Sequence, residues 1–164
     1  MKKTLSMLLA GAMLAAALTG CGSSASTGSD NADSSTDSSA SGAAFKLGGT
    51  GPLTGAAAIY GNACKNGAQI AVDEINAEGG DIQFELNYQD DEGDAEKAVN
   101  AYNTLKDWGM QISLGSVTSK PCEVTAGDTF ADRIFALTPS ASSVATTEGK
   151  DNQFQMCFTD PNQG

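Results

Sequence analysis

Asp81 to Gly115 reads DIQFELNYQDDEGDAEKAVNAYNTLKDWGMQISLG, and its apolar period changes twice. Ile82, Phe84, Leu86 and Tyr88 alternate with polar residues, the period of two of a β-strand. From Ala95 the spacing shifts to threes and fours, so that Ala95, Ala98, Val99, Tyr102 and Leu105 share one side of a helix. Asp94 and Glu96 stand at the start of that helix, where its dipole favours acids, and Gly109 follows its end. MQISLG then returns to a strand. A strand, a helix and a strand joined by short turns is the unit of a parallel sheet.

The same alternation extends in both directions. Upstream, Phe45 to Gly48 predicts a strand and Gly49 to Gly55 a Gly/Pro loop. Ile59, Ala63, Gly67, Ile70, Ala71 and Ile75 then recur at helical spacing until Gly79 and Gly80 stop the pattern. Downstream, CEVTAGDTFAD predicts a short helix, RIFALTPS a fourth strand and QFQMCF a fifth. The order predicts an α/β fold, a doubly wound parallel sheet with helices on both faces. Ligands of such sheets sit outside the carboxyl ends of the strands. Two of those ends, GSVTS and PSASS, carry small hydroxyl residues and no acid. The chain closes on DPNQG, where Asp160 fits a helix N-cap, Pro161 the first helical position and Gln163 a capping box. A helix is expected to start there and the polypeptide to continue past Gly164.

The first 44 residues are of another kind. Lys2 and Lys3 precede a largely apolar run, Leu5 to Leu18, shorter than the roughly 20 residues of a membrane span. Residues 1–20 therefore predict an export signal, set aside from the fold. LTGC, ending at Cys21, is similar to the lipobox of bacterial lipoproteins, in which the cysteine is lipidated and becomes the first mature residue. Residues 21–44, rich in Ser, Gly and Asp, lack the apolar side chains to offset ordering entropy and predict a flexible tether. The folded part is expected over residues 45–164.

Composition excludes several functions. The formal net charge is −11, with 9 Lys+Arg against 20 Asp+Glu, and no basic patch, so nucleic acid is not an expected partner. Without histidine or any CxxC spacing, no metal site and no cofactor are expected from Cys64, Cys122 and Cys157. Each of the three is expected to be a small buried residue, with one disulfide among them open and its pairing undetermined. GGTGPLTG lacks the third glycine of a dinucleotide loop and the G-K-[ST] of a P-loop. DDEGD has its glycine out of phase for a calcium loop and predicts a solvated turn with a capping acid. No histidine base or G-x-S-x-G elbow supports hydrolysis, so an enzyme is not expected.

What remains is a site of dipoles. Thr118, Ser119, Ser140 and Ser142 lie at two strand ends, and Tyr60 begins the first helix beside the same edge. Hydroxyls and backbone groups suit a zwitterion, whose carboxylate and ammonium each accept or donate charge-assisted bonds of about 1.5–3 kcal/mol. Tyr60 offers a ring wall to a ligand side chain.

GPLTGAAAIYGNACKNGAQIAVDEINAEGG, YQDDEGDAEKAVNAYNTL, LGSVTSKPCEV, LTPSAS and FTDPNQG, in this order, resemble consecutive blocks of the branched-chain amino acid-type substrate-binding lipoproteins of ABC transporters, across Phe45 to Gly164. The resemblance implies two α/β lobes that close on ligand, of which this chain supplies most of the first. It implies that Tyr60 lines the ligand side chain, that Val117, Thr118 and Ser119 hold the carboxylate, and that Ser140 and Ser142, with Ala141 between them, take the ammonium. Lys120 beside the carboxylate loop departs from a purely neutral cradle. The implied role is capture of an amino acid, branched-chain or similar, for delivery to ABC permease subunits, on the extracytoplasmic side of the cell membrane and held there by a lipid anchor. The alternatives are a ligand-sensing lipoprotein of the same fold that reports to a receptor, and an anchored enzyme. One lobe alone is expected to bind ligand poorly.

Overall fold

The computed structural model describes residues 44–163. The expected export signal, Cys21 and nearly all of the tether lie outside them. Five strands form one sheet in the order β2-β1-β3-β4-β5, and every neighbouring pair is parallel: β1 (Phe45–Gly51), β2 (Phe84–Asp90), β3 (Ile112–Ser116), β4 (Phe135–Thr138) and β5 (Gln153–Gln155). Three helices connect the first four strands, α1 (Ala58–Ala77), α2 (Ala95–Trp108) and α3 (Ser119–Ala131). The chain leaves β1 in one direction to reach β2, then returns past β1 to β3. Right-handed crossovers in opposite directions place α1 on one face and α2 and α3 on the other. The expected doubly wound sheet is the observed one.

Local chemistry fixes the elements. The Asp94 carboxylate caps α2 by accepting from the N–H groups of Glu96 and Lys97, and Gly109 closes the helix with φ of 92°. Between β1 and β2 the helix α1 lies directly on the loop that precedes it, and a Cβ on Gly61 would stand 2.1 Å from the Pro52 carbonyl oxygen. Strand β1 runs three residues past its expected end, because Gly49 and Gly51 leave room for the Tyr88 ring, which a Cβ on Gly49 would meet at 2.5 Å. Strand β2 starts two residues later than the alternation suggests, leaving Ile82 exposed.

The core lies on the α2–α3 side, where Tyr102, Leu105 and Met110 pack with Trp108 and Ile134. The opposite face is covered unevenly. Helix α1 lies over β1 and β2, and a groove of about 500 Å³ opens beside it, walled by Cys64, Gly67, Ala71, Leu114, Leu137 and Met156. Beyond the groove Phe135 and Phe154 stack at 5.2 Å and stay about half exposed.

Three expectations are corrected. Thr159, not Asp160, occupies the cap position at the chain's end; Asp160–Asn162 form a single 3-10 turn with Asp160 inside it, and no side chain caps that turn. The three cysteines are free, and only Cys122 is buried; Cys64 lines the groove beside α1 and Cys157 is half-buried with its thiol on the Ala141 carbonyl. Asp90–Asp94 is not simply a solvated turn, since the Asp91 side chain is fully buried.

Candidate functional site

The carboxyl ends of β1, β3 and β4 meet where the strand order reverses, the place at which doubly wound sheets form a ligand crevice. The crevice is built from hydrogen bonds between loops. From β2, the Asp90 carboxylate accepts from the Leu53 N–H at 2.8 Å, the Thr54 hydroxyl at 2.6 Å and the Glu92 N–H at 2.9 Å, which fixes the β1–α1 loop. Burial raises its pKa, but the bonds from Thr54, Glu92 and Leu53 together outweigh that and leave it below the ordinary value. Asn62 fastens the other end of the loop by donating to the carbonyls of Leu53 and Ala58. Tyr60, on the first turn of α1, is 64% exposed.

The loop after β3 begins at a kink. Gly115 has φ of 64°, its N–H donates to the Ser113 hydroxyl, and a Cβ there would stand 2.9 Å from the Thr138 Cα. The β1–β3 register shifts between Gly48 and Thr50, so Ser116 rather than Gly115 pairs with Thr50. Such a bulge re-aims the residues that follow it. Ser116 turns to the α3 side and Val117 is buried, its N–H donating to the Thr50 carbonyl.

Thr118 and Ser119 then open α3. Thr118 is the N-cap residue in extended conformation, and its hydroxyl is buried without a partner. The N–H groups of Thr118, Ser119 and Lys120 meet no acceptor among the described residues. A helix start with free N–H groups and a partnerless hydroxyl is suited to an anion such as a carboxylate.

The loop after β4 is tied to this one. The Ser119 hydroxyl accepts from the N–H groups of Ser142 at 3.1 Å and Ser143 at 3.3 Å, and the Ser140 hydroxyl donates to the Val117 carbonyl at 2.6 Å. Beneath them Thr138 donates to the Ser116 carbonyl at 2.7 Å and accepts from the Ala141 N–H at 3.2 Å. The Ala141 carbonyl accepts from Gln155 and from the Cys157 thiol, and the Ser142 carbonyl from the Asp160 N–H. Ala141 is thus fully buried with both backbone groups occupied, whereas the Ser140 carbonyl and the Ser142 hydroxyl have no partner among the described residues. The Cys64 thiol also adjoins Ser140; burial raises its pKa and the Ser140 bond offsets part of that.

The residues singled out in the sequence as ligand contacts therefore lie at the carboxyl edge of the sheet: Tyr60 from α1, Val117–Ser119 from the β3 end and Ser140–Ser142 from the β4 end. Asp90, Gly115 and Thr138 escaped sequence reading. Asp90 sits in a run of acids that looks like surface, and only its place at the end of a strand, paired with Gly51 just before the loop that carries Thr54, signals its role. Gly115 stands inside an apolar strand, which is itself a sign of a bulge.

A family model described as periplasmic binding protein matches residues 44–164. The chain is 37% identical over 116 residues to the Leu/Ile/Val-binding protein BraC3 of Rhizobium johnstonii, a match over 68% of this chain and 31% of the relative. It is 34% identical to the Leu/Ile/Val-binding protein homolog 3 of Brucella melitensis, over 76% of this chain and 35% of that one. Among solved structures, the branched-chain amino acid transporter substrate binding protein LivJ of Streptococcus pneumoniae, in complex with isoleucine, superposes with a TM-score of 0.67 at 30% identity, over 72% of this chain and 35% of that one. The chain thus spans about a third of the length of these relatives.

Proposed function

The chain belongs to the periplasmic binding protein family, and from that premise we propose that it is part of the extracytoplasmic substrate-binding component of an ABC importer, which captures an amino acid, branched-chain or similar, for delivery to a permease. Residues 45–164 supply most of the first of two lobes in this reading, residues 1–20 the export signal, Cys21 the lipid anchor and residues 21–44 the tether. The observation that carries the proposal is the start of α3, where three N–H groups and the buried hydroxyl of Thr118 have no partner among the described residues. In this reading a carboxylate takes that start, the Ser140 carbonyl and Ser142 hydroxyl, both without a partner among the described residues, take the ammonium, and the exposed Tyr60 meets the side chain. The mechanism is capture and closure, without covalent chemistry.

Each bond to a charged ligand group contributes about 1.5–3 kcal/mol when the site is closed to water, and less when both partners stay hydrated. The test is calorimetry of the full-length gene product against isoleucine, leucine, valine and isoleucinamide. Binding of the free amino acids with no binding of the amide, which lacks the carboxylate, is expected. Equal affinity for the amide overturns the carboxylate assignment.

A further inference from the structure

Two separate sets of hydrogen bonds hold the edge of the sheet. One is the tie between the loops after β3 and β4, made by Ser119 and Ser140. The other holds residues 52–57, the loop from β1 into α1, and its centre is Leu53. The Leu53 N–H donates to Asp90 Oδ1 at 2.8 Å, and the Leu53 carbonyl accepts from Asn62 Nδ2 at 3.0 Å. Asp90 ends β2 and Asn62 stands on the second turn of α1, so this one residue joins the sheet to the helix. Next to it the Thr54 hydroxyl donates to Asp90 Oδ2 at 2.6 Å. The other N–H of the Asn62 amide goes to the Ala58 carbonyl at 2.8 Å, and the Tyr60 N–H donates to the Ala57 carbonyl at 3.0 Å.

The tip of the loop contributes little. Gly55 turns there with φ of 79°, and a Cβ on it would meet nothing within 4 Å. The course of the loop is therefore set at Leu53 and Thr54. Among the described residues, no hydrogen bond joins residues 52–57 to the loops after β3 and β4. The first turn of α1, with Tyr60 on it, is thus fastened independently of Ser119 and Ser140.

We propose that Asp90 and Asn62 are positioning residues for specificity: by holding Leu53 between them they set where Tyr60 stands, and so how much a ligand's side chain counts in binding. The proposal deepens the function proposed above and rests on it for the ligand. Neither residue touches the ligand; both act through Tyr60. An apolar side chain against an aromatic ring is held by surface removed from water and by dispersion, and a gap of about 0.5–1 Å forfeits about a quarter to a half of the dispersion contact. Bonds to the ligand carboxylate, made by the other set of loops, are untouched by such a gap. Isoleucine offers Tyr60 a large apolar side chain and alanine only a methyl group. The ratio of their affinities therefore reads the position of Tyr60 apart from carboxylate recognition.

The test is calorimetry of the full-length gene product and its variants with isoleucine and alanine. Asn62→Ala removes the hold on the Leu53 carbonyl while raising helix propensity, so α1 itself is not weakened. Thr54→Val removes the hydroxyl at nearly constant shape. In both, the ratio of isoleucine to alanine affinity should fall about threefold or more. Thr54→Ser should restore it. Asp90→Ala should lower it further, and Asp90→Asn, which keeps an acceptor for Leu53, should recover most of the loss; the Thr54 pair carries the test if Asp90→Ala fails to fold. Ser119→Ala should instead lower both affinities by the same factor. In a Tyr60→Ala background, Asn62→Ala should change the ratio no further, because residues acting through one contact are not additive. An unchanged ratio in Asn62→Ala or in Thr54→Val, or the same fall with and without Tyr60, overturns the proposal. Failure of the unsubstituted protein to bind either amino acid overturns the functional reading alone. The positioning is then decided by the NMR ring signals of Tyr60, which should shift in Asn62→Ala and Thr54→Val and return in Thr54→Ser; ring signals unmoved by both variants overturn it.

Discussion

The Ser140 hydroxyl donates to the Val117 carbonyl across 2.6 Å, so the loops after β3 and β4 are tied to each other. Ser119 completes the tie from the other side by accepting two N–H groups of the β4 loop. Residues that the sequence suggests as ligand contacts are therefore also the fastenings of the crevice, and their substitution has two readouts.

Ser119→Ala separates them. Losing the acceptor of Ser142 and Ser143 should lower stability by about 1 kcal/mol, measured by urea unfolding. Losing the hydroxyl in the crevice should also weaken amino-acid binding by the full-length gene product about tenfold or more, about 1.4 kcal/mol by calorimetry. Reduced stability with unchanged affinity would assign Ser119 to the tie alone.

Gly61→Ala should destabilise the fold by about 1–3 kcal/mol, the usual range for overpacking. The added methyl meets the Pro52 carbonyl at 2.1 Å, and both partners are backbone-borne. Gly67→Ala is the control, because a Cβ there meets nothing within 4 Å and should add helix propensity. Equal stability of the two variants in urea would disprove the close approach of α1 to its loop.

Asp90 and Asp91 should impose opposite pH dependences on stability. Asp90 titrates below its ordinary value, so its contribution is present above the unfolded pKa and is lost as pH falls through the folded one. Asp91 titrates above its ordinary value, so its contribution is complete below the unfolded pKa and is lost as pH rises through the folded one. Asp90→Asn should therefore flatten the acid limb of a stability–pH curve and Asp91→Asn the limb above it. Denaturant midpoints at half-unit pH intervals check both signs, and the same limb flattened by both variants would refute the assignment.

Cys21→Ser should abolish incorporation of labelled palmitate and release the protein from membranes or leave it unprocessed, since LTGC is the motive for lipidation. Two or more acyl chains are needed for stable anchoring. Undiminished labelling of the variant would end that reading.

The succession of strands and helices was legible because the period of the apolar residues changes cleanly at Ala95 and again near Met110, with Asp94 and Gly109 marking the helix ends by their own chemistry. The crevice was legible as a cluster of hydroxyls at two strand ends. Its framework was not. Gly115 acts through a backbone angle and Asp90 through partners 36 and 37 residues away, and neither leaves a periodic trace. The helical pattern of α1 was read correctly, yet Ile59, Ile70 and Ile75 are exposed. Spacing identifies a face and says nothing of what lies against it.

That uncovered side has a kinetic consequence. Among the described residues, Phe135 and Phe154 stay about half exposed and Met156 and Phe158 more so, and β5, only three residues long, ends the sheet. A folded unit that shows a sticky half-sheet and an open edge is depleted by meeting its own kind. Its loss from solution should thus be second order, slow when dilute and steep when concentrated, so that halving the concentration lowers the initial rate of light-scattering growth about fourfold. The lifetime of such a unit is governed by how many copies share its volume, at least as much as by how firmly each is folded.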